Sequence, residues 1–224
     1  MTALPTPPSR VEQVYDAIVD DICTGRLAPG TRLRQEELAE RFNVSRQPVQ
    51  QALLLLRTQG LLRDTGRRGL EVAPVDREFV QHLYGLRAVM DGYAARCAAG
   101  KLSPAALDRG RSLVIAGQEA ERDRAYAHMV GSDVEFHQFV MEQSGNPLLV
   151  ESAGVIWRNV QRVMGELLYR GGAPSWVWED HAAIFDAIAS GAPDAAERLA
   201  RRHAEHGEEL ILDALDSLPA VDRA

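Results

Sequence analysis

The sequence predicts a mainly α-helical protein, in which three helices and two short β segments precede an all-α antiparallel bundle of six helices. Apolar residues recur at the three- and four-residue spacing of amphipathic helices through most of the chain. Residues 61–63 and 70–72 have the pattern of short strands. Beyond them, Ser-Pro and Asn-Pro pairs begin helices and glycines end them, which is typical of consecutive helices joined by short turns.

The composition is that of a globular protein with unevenly distributed charge. Of the 224 residues, 46% are hydrophobic and 25% are charged. The longest apolar run, residues 52–56, is too short to cross a membrane. The net charge is −7, yet residues 41–68 contain six arginines and one acid. Such a basic patch on an acidic protein attracts polyanions, and an ordinary solvated surface is the alternative.

The N-terminal residues and the cysteines indicate a cellular compartment. Residues 1–9 are predicted to be a disordered leader, because they lack the basic and apolar segments of a secretory signal. Cys23 and Cys97 are the only cysteines, and both fall within helical patterns, which favours a reducing environment over a disulfide framework. We therefore expect a cytoplasmic protein that does not associate with membranes.

Three N-terminal helices are predicted, over residues 11–23, 35–42 and 46–59. The first has a single apolar stripe that runs from Val11 to Ile22. A tight turn separates the second helix from the third. Ser45 is a suitable N-cap for the third helix, and Pro48 lies in its first turn, where a missing N–H costs little.

The two β segments flank a hairpin tip at residues 64–69, which contains two glycines and two arginines. Helix, helix, turn, helix and basic hairpin is the order of a winged helix-turn-helix. In that fold the third helix presents its N-terminal residues to the major groove of DNA, and the wing reaches the backbone or the minor groove. A helical domain that the hairpin merely stabilises is the alternative. The candidate DNA-binding residues are Arg34, Ser45, Arg46, Gln47, Gln50, Gln51, Gly66, Arg67 and Arg68.

The remainder of the chain is predicted to be helix after helix. Asp76 caps a long helix, and Ser103 and Asn146 each precede a proline at a first helical position. The six helices are predicted over residues 77–99, 104–123, 124–143, 147–170, 175–189 and 193–215. The expected domains are a leader (1–9), a winged helix-turn-helix domain (10–73), a linker (74–76), an all-helical domain (77–217) and a tail (218–224).

Two groups of motifs resemble those of a known family. In the first domain they are residues 25–33 (GRLAPGTRL), residues 37–46 (ELAERFNVSR), and the pairs at 48–49 and 52–53. In the second domain they are Leu86 with Arg87, Asp133 with Phe136 and His137, residues 144–147 (SGNP), His181 and His203. On these residues the chain resembles transcriptional regulators of the GntR family, FadR subfamily, over about residues 10–217. The resemblance implies a homodimeric repressor that binds a palindromic operator in double-stranded DNA through two winged helices.

Two sets of positions depart from the family's pattern. Gln50 and Gln51 stand where the family usually has a basic residue and then an acidic one, and Glu36 stands where better-studied members carry an arginine. A glutamine side chain can make two hydrogen bonds to adenine, whereas an arginine side chain makes two to guanine. We therefore expect Gln50 to shift the preference at one base pair of each half-site from guanine toward adenine. A contact of Gln50 with phosphate or water alone is the alternative.

Asp133 and His137 are four residues apart on one predicted helix, so both side chains project from the same face. A carboxylate and an imidazole at this spacing can share a metal ion, and a surface hydrogen bond is the alternative. His181 and His203 lie on two later helices in apolar or small-residue stripes, where a core histidine is the alternative. The resemblance implies metal ligands at all four positions. One aspartate and three histidines suit a divalent ion, with Zn²⁺ preferred and Ni²⁺ or Mn²⁺ as alternatives.

The resemblance further implies that the metal holds a small organic acid as the effector. Arg87 is the candidate second anchor, because a guanidinium forks onto a carboxylate, and an ion pair with Asp91 is the alternative. His206 is expected to face solvent. No nucleophile–base pair, glycine-rich phosphate loop or cofactor fingerprint is recognisable in the sequence, so a sensor is preferred over an enzyme. A purely structural metal in a DNA-binding dimer and a metalloenzyme remain the alternatives.

Overall fold

The computed structural model describes residues 8–66, 69–171 and 176–217. Over these ranges, nine helices and three short strands form two compact units that divide between Val75 and Asp76, which confirms the predicted fold class. None of the helices in these ranges combines the length and the apolarity that crossing a membrane requires. Most of the expected leader, the expected tail, and Arg67 and Arg68 at the hairpin tip lie outside the described residues.

The N-terminal unit has three helices and a small sheet. Its elements are α1 (Arg10–Cys23), β1 (Arg32–Leu33), α2 (Gln35–Arg41), α3 (Arg46–Thr58), β2 (Leu62–Asp64) and β3 (Leu70–Val72). The strand order is β1-β3-β2, with β3 antiparallel to both neighbours. The sequence did not indicate β1, because two residues carry no alternation and the strand exists only through its pairing with β3.

Apolar stripes of the three helices enclose the core of this unit, which consists mainly of Val14, Ile18, Ile22, Val49, Ala52, Leu53, Leu56, Leu62 and Val72. Ser9 begins α1 with a capping box: its hydroxyl accepts from the Glu12 N–H, and the Glu12 carboxylate accepts from the Ser9 N–H. Ser45 occupies the N-cap position of α3, but its side chain makes no capping hydrogen bond. Pro48 stands at the third helical position and has no N–H to donate, which accounts for part of this difference.

The C-terminal unit is entirely helical in its described part. Its elements are α4 (Arg77–Ala98), α5 (Pro104–Arg122), α6 (Tyr126–Gln143), α7 (Pro147–Gly171), α8 (Trp176–Ala189) and α9 (Pro193–Asp216). The predicted caps at Asp76 and Ser103 both accept hydrogen bonds from backbone N–H groups of the first turn. We expected α6 to begin at Arg124, and this boundary is wrong. Arg124 has a φ of 52°, a left-handed conformation that cannot continue a helix.

A glycine face on α5 allows α8 to pack closely against it. Gly110 and Gly117 are seven residues apart and therefore lie on one face of α5. A Cβ atom at Gly110 would overlap the ring of Phe185, and one at Gly117 would overlap the indole of Trp178. These two aromatic residues flank His181 along α8. The absence of two side chains from α5 thus determines how deeply the His181 helix is buried.

Replacing Gly117 with alanine is expected to destabilise the C-terminal unit. The added methyl group overlaps a buried, rigid indole, and overpacking of this kind costs about 1–3 kcal/mol. Urea unfolding followed by far-ultraviolet circular dichroism measures the change. Gly131→Ala is the matched control, since a Cβ at Gly131 meets open space within α6. It should leave stability unchanged or raise it by up to about 1 kcal/mol, and equal destabilisation by both variants would contradict this packing.

Candidate metal centre and nucleic-acid interface

Four helices of the C-terminal unit direct ionisable side chains into its interior. We call Asp133, His137, His181 and His203 the histidine cluster; they come from α6, α8 and α9, and all four are buried. Beside them, α4 contributes the buried pair Arg87 and Asp91. The four predicted metal ligands are therefore brought together, and the predicted effector anchor lies with them.

One atom from each member of the histidine cluster points to a common centre. The Nε2 atom of His181 lies 3.1 Å from Nε2 of His137, 3.1 Å from Nε2 of His203 and 3.4 Å from Oδ1 of Asp133. All four ligand atoms lie within 4.8 Å of one another. Ligands bonded to one ion at about 2.1 Å stand roughly 3–3.4 Å apart, so the spacing around His181 fits a single divalent ion.

Carboxylates face the outer nitrogens of two histidines. His137 Nδ1 lies 3.3 Å from Asp91 Oδ2, and His203 Nδ1 lies 3.5 Å from Asp180 Oδ2. Such carboxylates favour the tautomer with the proton on Nδ1, which leaves the Nε2 lone pair directed into the cluster. Neither His181 Nδ1 nor His203 Nδ1 makes a hydrogen bond among the described residues, so the contact of His203 with Asp180 is electrostatic.

The environment keeps the three imidazoles neutral. Burial lowers the pKa of both His137 and His181 well below the usual histidine value, and the positive charge of Arg87 acts in the same direction. Burial also lowers the pKa of His203, although Asp180 opposes this effect. Metal ligation requires neutral imidazoles, so the histidines are in the form that a metal ion needs.

The carboxylates of the site are short of positive partners. Burial raises the pKa of Asp133, and it raises the pKa of Asp91 to about 6 against the effect of Arg87. Asp133 Oδ2 is buried and has no hydrogen-bond partner among the described residues. A buried carboxylate without a partner is costly, and a divalent cation would remove that cost. The donor set of one oxygen and three nitrogens fits a borderline ion such as Zn²⁺.

Arg87 connects the α4 pair to the histidine cluster. Its Nε donates to Asp91 Oδ2 at 3.1 Å, so the ion pair anticipated as the alternative is present. Its Nη2 lies 2.9 Å from His137 Nε2 and 3.4 Å from His203 Nε2. The guanidinium also lies over the ring of Trp157, 4.6 Å from the centroid.

The sequence led us to expect that His206 faces solvent, but in the structure its side chain is only partly exposed and has two partners. Its Nδ1 lies 3.4 Å from the same Asp180 oxygen that faces His203, and its ring meets the edge of Trp176 at a centroid distance of 5.3 Å. Asp180 was missed by sequence reasoning. It directly precedes His181 but serves a histidine on another helix, and no local pattern reveals such a pairing.

The candidate DNA-binding residues described in the N-terminal unit are exposed, and most lie at the start of α3; they are Arg34, Ser45, Arg46, Gln47, Gln50, Gln51 and Gly66. The Nη1 atom of Arg46 lies 3.2 Å from Oε1 of Glu36 on α2, and Arg34 pairs with Glu37 at 3.3 Å. Glu36 therefore offsets part of the charge at the start of α3, which the sequence did not indicate.

Comparison with protein families and individual proteins follows the same division of the chain. The gntR family of bacterial regulatory proteins matches residues 10–72, and the FCD domain family matches residues 82–206. The chain is 27% identical over 207 residues to the HTH-type transcriptional repressor RspR of Escherichia coli K12, across 92% of this chain and 90% of that protein. It is 29% identical over 216 residues to the HTH-type transcriptional repressor NanR of Citrobacter rodentium, across 86% and 81%.

Solved structures share the fold. Escherichia coli McbR/YncC superposes with a TM-score of 0.81 at 20% identity, over 92% of this chain and 99% of that one. A GntR regulator from Rhodococcus sp. RHA1 superposes with a TM-score of 0.77 at 24% identity, over the same shares of the two chains. At these identities the likeness concerns the fold alone.

Proposed function

The chain belongs to the GntR family of bacterial regulatory proteins and carries an FCD domain, and from this membership we propose that it is a DNA-binding transcriptional repressor. It binds a palindromic operator as a homodimer, and a small organic acid held at a divalent metal ion in the C-terminal unit lowers its operator affinity. The observation that carries the proposal is the convergence of Asp133 Oδ1 with three histidine Nε2 atoms within 4.8 Å. We assign no catalytic reaction to the chain.

DNA binding is supported by the exposed start of α3. In a helix-turn-helix the N-terminal residues of this helix contact base edges in the major groove. Here that position offers Arg46 and the amides of Gln47, Gln50 and Gln51, all exposed. The amides can fork onto adenine, and Arg46 can contact guanine or phosphate. Repression is supported by the names of two relatives, which are both transcriptional repressors.

The metal role is supported by the chemistry of the histidine cluster. Asp133, His137, His181 and His203 would hold the ion, because their ligand atoms converge and the imidazoles are neutral. When bound, the ion supplies a Lewis-acidic centre to which a carboxylate of the effector can coordinate. Arg87 lies within reach of the same centre and offers a planar fork that matches a carboxylate.

Dimer formation is supported by an exposed apolar stripe on α4. Leu86, Val89 and Tyr93 are 47%, 50% and 45% exposed, respectively, and lie on one face of the helix. Exposed large apolar side chains arranged in a contiguous patch mark interaction surfaces. A second copy of this chain, related by a twofold axis, would cover both stripes and present two α3 helices to a palindrome.

The purified protein is expected to hold about one divalent ion per chain. His181→Ala removes the central nitrogen of the cluster and should reduce the metal content, measured by plasma mass spectrometry, to background. His206→Ala is the matched control, since it removes an imidazole from α9 that offers no ligand atom to the cluster. Full metal content in His181→Ala would disprove the assignment.

Arg46→Ala is expected to weaken operator binding. An operator is first selected from random DNA, and fluorescence anisotropy then measures affinity across a range of salt concentrations. Loss of one phosphate contact should reduce the steepness of log K against log salt concentration by about 0.9. Loss of a base contact should reduce the binding free energy by about 1–3 kcal/mol. Arg57→Ala, in the last turn of α3, is the control and should have a smaller effect. Equal affinities for Arg46→Ala and wild type would contradict the proposed interface.

Operator affinity is expected to fall when a small carboxylic acid binds the metal-loaded protein. A panel of mono- and dicarboxylic acids is added to the protein–operator complex, with metal and after removal of the metal by a chelator. At least one acid should weaken the complex only when metal is present, because the ion supplies the coordination site. If no acid changes the affinity of the metal-loaded protein, the metal is structural. Recovery of the acid unchanged distinguishes sensing from turnover.

A further inference from the structure

A metal ion at the histidine cluster would need a free lone pair on each ligand nitrogen. A neutral imidazole has one nitrogen that donates a proton and one that offers a single lone pair. In His137 and His203 the Nδ1 atoms face the carboxylates of Asp91 and Asp180 at 3.3 and 3.5 Å, which favours the tautomers whose lone pairs are on Nε2. A single lone pair can accept an N–H donor or bind a metal ion, but not both.

Arg87 lies against both of these nitrogen atoms. Its Nη2 lies 2.9 Å from His137 Nε2 and 3.4 Å from His203 Nε2, within hydrogen-bond distance of both. The side chain is buried to 97%, held by Asp91 on one side and by the Trp157 ring on the other. The guanidinium is therefore positioned by its surroundings to contact the two atoms that would bind the ion.

We propose that Arg87 competes with the metal ion for the Nε2 lone pairs of His137 and His203, and that a carboxylate ligand relieves the competition by accepting the guanidinium. The proposal rests on the proposed function, since it concerns the same site and the same class of ligand. It adds that the acid and the metal strengthen each other's binding through one side chain of α4.

Electrostatics makes the competition strong. A guanidinium remains charged in proteins, and a divalent ion at the cluster would place two cations close together in a buried site. Water screens such repulsion weakly in a protein interior. Asp91 is the only carboxylate that hydrogen-bonds Arg87 among the described residues, and its Oδ2 also faces His137. A carboxylate coordinated to the metal would supply both a negative charge and two acceptors for the freed N–H groups.

Zinc affinity in chelator-buffered solutions tests the proposal, with acetate as the carboxylate probe and chloride at equal ionic strength as the reference. Without acetate, Arg87→Met should bind Zn²⁺ about tenfold or more tightly than wild type, because it removes the competing cation. Acetate should raise the zinc affinity of wild type by about fivefold or more, and it should raise that of Arg87→Met by a clearly smaller factor, because acetate can still coordinate the ion but has no guanidinium to pair with.

Arg96→Met is the matched control. It removes the same charge from the same helix, about 13 Å farther along the axis, where Arg96 is half-exposed and pairs with Glu197 at 3.1 Å. Its zinc affinity should equal that of wild type with and without acetate. A tighter zinc complex in Arg96→Met would mean that net charge, rather than the position of Arg87, sets the affinity, and it would overturn the proposal.

Replacing Arg87 alone leaves the buried Asp91 without its ion-pair partner, so a second variant removes both charges. Arg87→Met combined with Asp91→Asn removes both charges while keeping an oxygen that can accept from His137 Nδ1, and it should also bind zinc more tightly than wild type. If neither folded variant does so while wild type binds zinc, Arg87 does not compete and the inference fails. If wild type binds no zinc, the proposed function fails instead. In wild type, the ¹⁵N signals of the Arg87 side chain should shift on zinc addition, and unchanged signals would also overturn the inference.

Discussion

The burial of ionisable side chains at the centre of the C-terminal unit is the constraint on which the rest of the structure depends. A buried charge is costly unless partners compensate it, and here several of the partners come from other helices. Arg87 on α4 reaches His137 on α6 and His203 on α9, while Asp91 holds Arg87 and faces His137. The polar contacts therefore join helices whose packing is otherwise apolar, and removing one member leaves another without compensation.

Aromatic rings surround this polar centre and maintain its chemistry. Trp157 stacks on His137 at a centroid distance of 4.5 Å, and the rings of Phe136 and Trp178 contact His181 at 4.6 and 4.5 Å. Rings packed this closely exclude water, so burial lowers the histidine pKa values and keeps the imidazoles neutral. The glycine face of α5 admits the Trp178 ring and so allows the α8 histidine to reach the cluster.

In the proposed dimer, regulation would rest on a difference in ligand-binding free energy between two arrangements of the subunits. A ligand at the histidine cluster alters operator affinity only if it binds one arrangement more tightly than another. Arg87 is suited to convey the presence of the ligand, because its partners depend on what occupies the cluster. At the proposed DNA-binding surface, Arg46 pairs with Glu36 and Gln50 is neutral. We therefore expect amide contacts with base edges to contribute a larger share of operator selection there.

The sequence by itself determined the order of the helices, the division into two domains, and the shared face of Asp133 and His137. These features follow from helical periodicity and caps, which are local properties of the chain. Resemblance to a family added His181 and His203 to that pair. Only the tertiary structure decided that Asp180 faces His203 and that Arg87 enters the cluster. Asp180 is 23 residues from His203 in the chain, and Arg87 is 50 and 116 residues from His137 and His203, so these partners lie on different helices. Their register depends on how side chains pack between helices, and no local sequence pattern encodes that packing.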